Sequence, residues 1–122
     1  MRSYRFGPYR LDTGERVLTR AGRPVALTRR MYETLVVLVE RAGRVVEKTD
    51  LMREVWADAF VEEGNLTQVV FRLRKALGGT ATKYIETVPR RGYRFAAAVR
   101  EERDEADGTP PPHARANVEA DV

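Results

Sequence analysis

Three arginines crowd into the nine residues TVPRRGYRF, Thr87–Phe95, where Arg90, Arg91 and Arg94 surround Gly92. Like charges on a turn repel one another and bury nothing, so an anion outside the chain is the natural reason to gather them. A second group lies just upstream, in NLTQVVFRLRKALGG, residues 65–79. At about 100° per residue on a helix, Leu66, Val69, Val70, Leu73 and Leu77 fall on one side. Thr67, Gln68, Phe71 and Lys75 fall opposite, with Arg72 and Arg74 on the flanks. Arginine can donate two hydrogen bonds to guanine O6 and N7, and glutamine can pair with adenine N6 and N7. Lysine and flanking arginine suit phosphates, which set register and supply salt-dependent affinity. A merely solvated helix usually mixes Glu with Lys for i,i+4 pairing, yet no acidic residue occurs from Leu66 to Leu77. Phe71 leaves two readings open. Its ring could meet thymine methyls or deoxyribose, or it could tuck against a neighbouring loop.

Other chemistries find little support. There is no cysteine, and the one histidine, His113, lies in a Pro-rich stretch, so disulfides, thiolate sites and histidine catalysis drop out. The acidic residues are scattered over helix surfaces. No Gly-rich phosphate loop follows a strand, and no nucleophile–base pair can be built. We therefore expect no enzyme, no metal and no cofactor. No apolar run approaches the ~20 residues of a membrane span, and Met1 leads straight into polar residues, so the chain reads as cytoplasmic without a secretory signal.

Net charge is +4 over 122 residues, but unevenly spread. Residues 1–99 hold 19 Lys/Arg against 11 Asp/Glu, whereas residues 100–122 hold 3 against 7. Within 64–99 there are 7 basic residues and 1 acidic one. Such a basic block with an acidic appendage fits a polyanion-binding surface, although basic surfaces also serve solubility.

The elements that would position these residues follow from periodicity and punctuation. Tyr4–Phe6, Tyr9–Leu11, Val17–Thr19 and Val25–Leu27 are short strand candidates, separated by Gly7-Pro8, Thr13-Gly14 and Gly22-Arg23-Pro24. They predict a four-stranded antiparallel meander. A helix follows with Thr28 as N-cap and Gly43 as stop, and its wide apolar face of Met31, Leu35, Leu38 and Ala42, with Tyr32, Val36 and Val39 beside it, marks a central core helix. RVVEK is a further short extended candidate. A second helix is expected behind Thr49 as cap, with Leu51, Met52, Val55 and Trp56 inward. For the third helix, Asn65 and Gln68 fit a capping box, and Gly78-Gly79 end it. KYIETVP and YRFAAAV read as a terminal hairpin. From Arg100 onward, Glu, Asp and Pro without periodicity predict a disordered tail or linker over 100–122, leaving one domain over 1–99.

Helix, short helix, outward-facing basic helix and basic hairpin describe a winged helix-turn-helix of the α+β class. LTRRMYETLVVLVERAGRVVEKTDLMREVW, NLTQVVFRLRKALG and IETVPRRGYRF resemble the effector domain of the OmpR/PhoB transcription regulators, and their style is most similar to the CadC/ToxR-like branch. The resemblance covers about residues 4–98. It implies an N-terminal four-stranded antiparallel sheet, three helices and a C-terminal hairpin wing. It further implies sequence-specific binding of double-stranded DNA, with residues 65–77 in the major groove and the wing, residues 88–95, in the minor groove. Asn65, Thr67, Gln68 and Arg72 fall where the family touches bases and nearby phosphates. Phe71, Arg74 and Lys75 fall on or beside backbone-facing positions, and Phe71 replaces what is often a polar residue. Arg91 and Arg94 match the wing, whose arginine typically enters the minor groove, and Arg90 lies with them at the turn as a further DNA-binding candidate. Either Tyr93 or Phe95, or both, should pack inward.

The loop at 58–64 corresponds to one that meets RNA polymerase in some relatives, and relatives often occupy direct repeats as head-to-tail pairs. Met31 stands where relatives often carry Glu. Nothing ahead of the first strand resembles a phosphoacceptor receiver domain. The acidic segment 100–122 looks like a linker toward a following sensor, as in the CadC-like branch. The competing expectation is a winged helix that has lost DNA binding and serves as a protein–protein interaction module. The density of Arg and Lys on helix and wing argues against it.

Overall fold

The computed structural model describes residues 2–57, 59, 61–78 and 84–103. The short alternating runs at the start of the chain form β1 (Arg2–Phe6), β2 (Tyr9–Asp12), β3 (Val17–Arg20) and β4 (Arg23–Val25). They pair antiparallel in sequence order, in register Phe6↔Tyr9, Leu11↔Leu18 and Leu18↔Val25. The expected meander is present, with its fourth strand ending at Val25 instead of beginning there. Gly7 turns the first hairpin at φ +56, a left-handed conformation that favours glycine.

α1 (Arg29–Glu40) starts as expected, its first turn capped by the Thr28 hydroxyl, which accepts from Met31 N at 3.2 Å. It stops at Arg41, two residues before Gly43, whose φ of +86 reverses the chain. Tyr32, Leu35, Leu38 and Val39 are buried, and so is Thr34, whose hydroxyl finds no partner among the described residues. Beyond the turn, β5 (Val45–Glu47) leads directly into α2 (Lys48–Val55). Thr49 is not its cap: Glu47 holds that position and makes no side-chain cap bond. Pairing of β5 with the wing fixes where the backbone changes direction, and this overrides the local preference of Thr49. Leu51, Val55 and Trp56 turn inward as expected. No helix among the described residues is long and apolar enough to cross a membrane.

α3 (Glu63–Leu77) is followed by the hairpin of β6 (Ile85–Val88) and β7 (Gly92–Phe95). β5 joins that hairpin on the β7 side, giving a three-stranded sheet in the order β5-β7-β6. Gly92 makes this possible, since a β-carbon there would lie inside the Val46 carbonyl and 2.9 Å from its carbon atom. Phe6, Tyr9, Tyr84 and Phe95 form an aromatic cluster that joins the two sheets, with Phe6 and Phe95 centroids 4.9 Å apart at a steep angle. Tyr93 and Phe95 both point inward.

The expected tail begins too early by four residues. Arg100–Arg103 form β8, which adds to the free edge of β1 and makes the first sheet five-stranded, β4-β3-β2-β1-β8. Antiparallel backbone pairing holds it there, in register Arg2↔Arg103 and Arg5↔Arg100, and opposite charges lie alongside. Glu101 meets Arg2 at 3.3 Å, and Glu102 meets Arg5 at 2.8 Å and Arg10 at 3.7 Å. The rest of the predicted tail, 104–122, lies outside the described residues.

Candidate nucleic-acid interface

α3 is anchored by one face and bare on the other. Leu66, Val70, Leu73 and Leu77 are buried, while Thr67, Gln68, Arg72 and Lys75 are exposed. Phe71 is 54% exposed, the large hydrophobic side chain that the described core leaves out, so the tucked alternative for this ring is not the one adopted. The Lys75 ammonium lies 5.3 Å from the centre of the ring, a cation–π arrangement. The side chains of Thr67, Gln68 and Arg72 make no hydrogen bond or ion pair among the described residues.

The start of α3 differs from the expected capping box. Glu62 holds the cap position without a side-chain bond, and the helix begins at Glu63, so the end of the 58–64 loop is helical. Glu63 complements the positive end of the helix dipole. Asn65 therefore sits within the first turn, where its side-chain amide donates to Glu62 O at 3.1 Å. Gln68 is left free to face outward. At the far end, the Tyr9 hydroxyl donates to Leu77 O, fastening α3 to the first sheet.

Arg74 is turned away from the open face. Its Nε and Nη2 donate to Ile85 O at 3.1 and 2.9 Å, and Nη2 also donates to Thr87 Oγ1 at 2.7 Å. One guanidinium thus braces α3 against β6, holding helix and wing as a single unit.

At the wing tip, Arg91 N donates to Val88 O at 3.0 Å across a tight turn. Pro89 presets the first corner of this turn. Arg90 occupies the second corner at φ +66 and is exposed, with no ion pair among the described residues. The two other wing arginines are held. Arg91 Nη2 donates to Glu47 Oε2 at 2.9 Å, and Arg94 Nε donates to Glu86 Oε1 at 2.8 Å, directly across the hairpin. The repulsion implied by the sequence is thus relieved within the protein at Arg91 and Arg94.

Lys48 is a residue that sequence reasoning did not single out. It lies at the start of α2, its ammonium 2.7 Å from Glu63 Oε2. That hydrogen bond, together with the attraction of the carboxylate, raises its pKa above the ordinary lysine value. Glu47, Lys48, Thr49, Glu63, Arg90 and Arg91 line one cleft of about 200 Å³. Here the beginnings of α2 and α3 meet the wing turn. The missed signal was Lys48 directly after a strand that pairs with the wing, and only the pairing reveals it.

A family model described as "Transcriptional regulatory protein, C terminal" matches residues 22–95. The transcriptional regulator HilA of Salmonella typhi is 40% identical over 83 residues, covering 67% of this chain and 15% of that protein. The transcriptional activator CadC of Escherichia coli K12 is 31% identical over 98 residues, covering 78% of this chain and 19% of that protein. The chain therefore spans less than one fifth of either relative. Among solved structures, the DNA-binding domain of E. coli CadC superposes with a TM-score of 0.71 at 28% identity, covering 82% of this chain and 96% of that one. The Klebsiella pneumoniae RstA DNA-binding domain in complex with the RstA box gives 0.68 at 28% identity, covering 77% and 96%.

Proposed function

The chain belongs to the OmpR/PhoB-type transcriptional regulatory protein family, C-terminal domain, and from that premise we propose that it binds duplex DNA sequence-specifically as a bacterial-type transcription regulator. α3 enters the major groove and the β6–β7 turn enters the adjacent minor groove. One observation carries this reading: Thr67, Gln68, Phe71 and Arg72 are exposed together on a helix braced against the wing by Arg74. A rigid helix with idle donors is what base readout needs, since ordering them costs little at the moment of binding.

Within this reading, Gln68 and Arg72 address base edges, and Thr67 and Asn65 flank them. Phe71 offers its ring to thymine methyls or deoxyribose. Lys75 meets the backbone, Arg90 reaches into the minor groove, and Arg91 and Arg94 engage phosphates beside it. Arg74, whose bonds are spent on β6, positions the helix instead of touching bases. The cytoplasm is where such a protein meets its DNA. Head-to-tail pairing on direct repeats, and contact between the 58–64 segment and RNA polymerase, belong to the same proposal. Glu62 and Glu63 in that segment disfavour DNA as its partner. None of these roles requires catalysis.

Selection from a random duplex library, followed by titration of variants, tests the proposal. Arg72→Ala should cost ~1–3 kcal/mol on the selected site and relax base preference, as loss of a bidentate contact does. Equal affinity of parent and variant for that site would overturn the assignment. The exposed Phe71 is the feature that suits a protein partner instead. Salt separates the two: raising it from about 50 to 200 mM should weaken a phosphate-dependent complex by orders of magnitude.

A further inference from the structure

Three cations around the cleft and wing already hold carboxylates. Lys48 is paired with Glu63, Arg91 with Glu47, and Arg94 with Glu86. The glutamates come from three separate elements, the first turn of α3, the end of β5 and β6, yet each meets a cation that faces outward. Their side chains keep 59%, 44% and 38% of their surface exposed. Exposed pairs of this kind contribute little to holding a fold together, so structural need does not account for the coincidence. On the open face of α3, by contrast, Arg72 and Lys75 have no carboxylate partner among the described residues.

We propose that Glu47, Glu63 and Glu86 restrain the sequence-independent affinity of the domain, occupying Arg91, Lys48 and Arg94 in competition with DNA phosphate. They act through those cations and are positioning residues, not contacts to DNA. The proposal rests on the DNA-binding reading above. Its physical basis is the counterion balance. A free arginine that neutralises a phosphate releases a condensed counterion, which drives binding to any sequence. An arginine taken from a glutamate leaves that carboxylate to recruit a cation of its own, so the release is largely cancelled. The phosphate contribution to affinity is held down for every duplex, whereas the base contacts of α3 are unaffected. Because phosphate contacts are common to cognate and other duplexes, the two affinities fall together, and a larger share of the binding free energy that remains comes from the base contacts.

The test uses the full 122-residue chain and its Glu47→Gln, Glu63→Gln and Glu86→Gln variants, singly and combined. Each is titrated against a random-sequence duplex and against the duplex selected by the parent. The triple variant should bind the random duplex at least about tenfold more tightly at low salt, with the logarithmic salt slope steepened by about 0.9 for each glutamate removed. Affinity for the selected duplex should rise by a similar factor, leaving the ratio of the two near the parent's. Glu33→Gln supplies the control. It removes the same charge from a glutamate paired with Arg16, Arg29 and Arg30 away from the wing, and it should leave the slope unchanged. A triple variant with the parent's slope, or a Glu33→Gln effect of equal size, would overturn the proposal while leaving DNA binding intact. A parent chain that enriches no duplex would overturn the DNA-binding reading and this proposal together.

Discussion

Arg90 combines two demands that conflict within one residue. Its φ of +66 is a conformation in which an L side chain crowds its own backbone, and glycine or asparagine usually occupies such a corner. A long cation there costs stability and contributes no ion pair among the described residues. Arg90→Gly should therefore stabilise the fold by about 0.5–1 kcal/mol, net of the flexibility that glycine adds to the unfolded chain. Thermal unfolding would show the gain. The same variant should bind DNA more weakly at low salt, since one phosphate-directed charge is lost. Opposite signs in the two measurements would identify the strain as serving function. A loss of stability, or unchanged binding, would leave Arg90 as an ordinary turn residue. The basic cluster was legible from residue types and spacing, and its gathering on one turn is what led to the proposal of an anionic target. The partners of Arg91 and Arg94 were not, because Glu47 lies 44 residues from Arg91 and meets it only through the β5–β7 pairing.

Among the elements, the helices were the most legible, because an apolar stripe recurring every three or four residues survives without tertiary information. Their ends were less so. Thr49 and Asn65 looked like caps, yet Glu47 and Glu62 hold those positions. Side-chain preference is a small term beside the strand pairing and helix packing that set where each helix starts. The wing sheet shows the same hierarchy at Gly92. Its neighbours suggest a turn glycine, but it is the first residue of β7, and what it provides is room for the Val46 carbonyl. Gly92→Ala should thus force β5 away from β7 and destabilise the protein by about 1–3 kcal/mol, as overpacking does. A lowered midpoint in denaturant titration checks this. A midpoint equal to that of the parent would mean that the sheet adjusts freely.

At the scale of the whole molecule, β8 shows what local pattern could not convey. The run Arg100–Arg103 has the composition of a solvated tail. Its partners Arg2, Arg5 and Arg10 lie at the other end of the described chain, so complementarity appears only when the ends meet. Ending the chain after Val99 would expose the backbone edge of β1. That truncation should cost about 1–3 kcal/mol from lost cross-strand pairs and promote association through the open edge. Calorimetry and light scattering would report the two effects, and affinity for the selected duplex should change little. The core, the two sheets and the brace between α3 and β6 are built from side chains other than Thr67, Gln68, Phe71 and Arg72. Those four positions can be randomised as a set without rebuilding the scaffold that carries them. The domain thus offers a starting point for retargeting, in which the alphabet it reads is rewritten and the reader is kept.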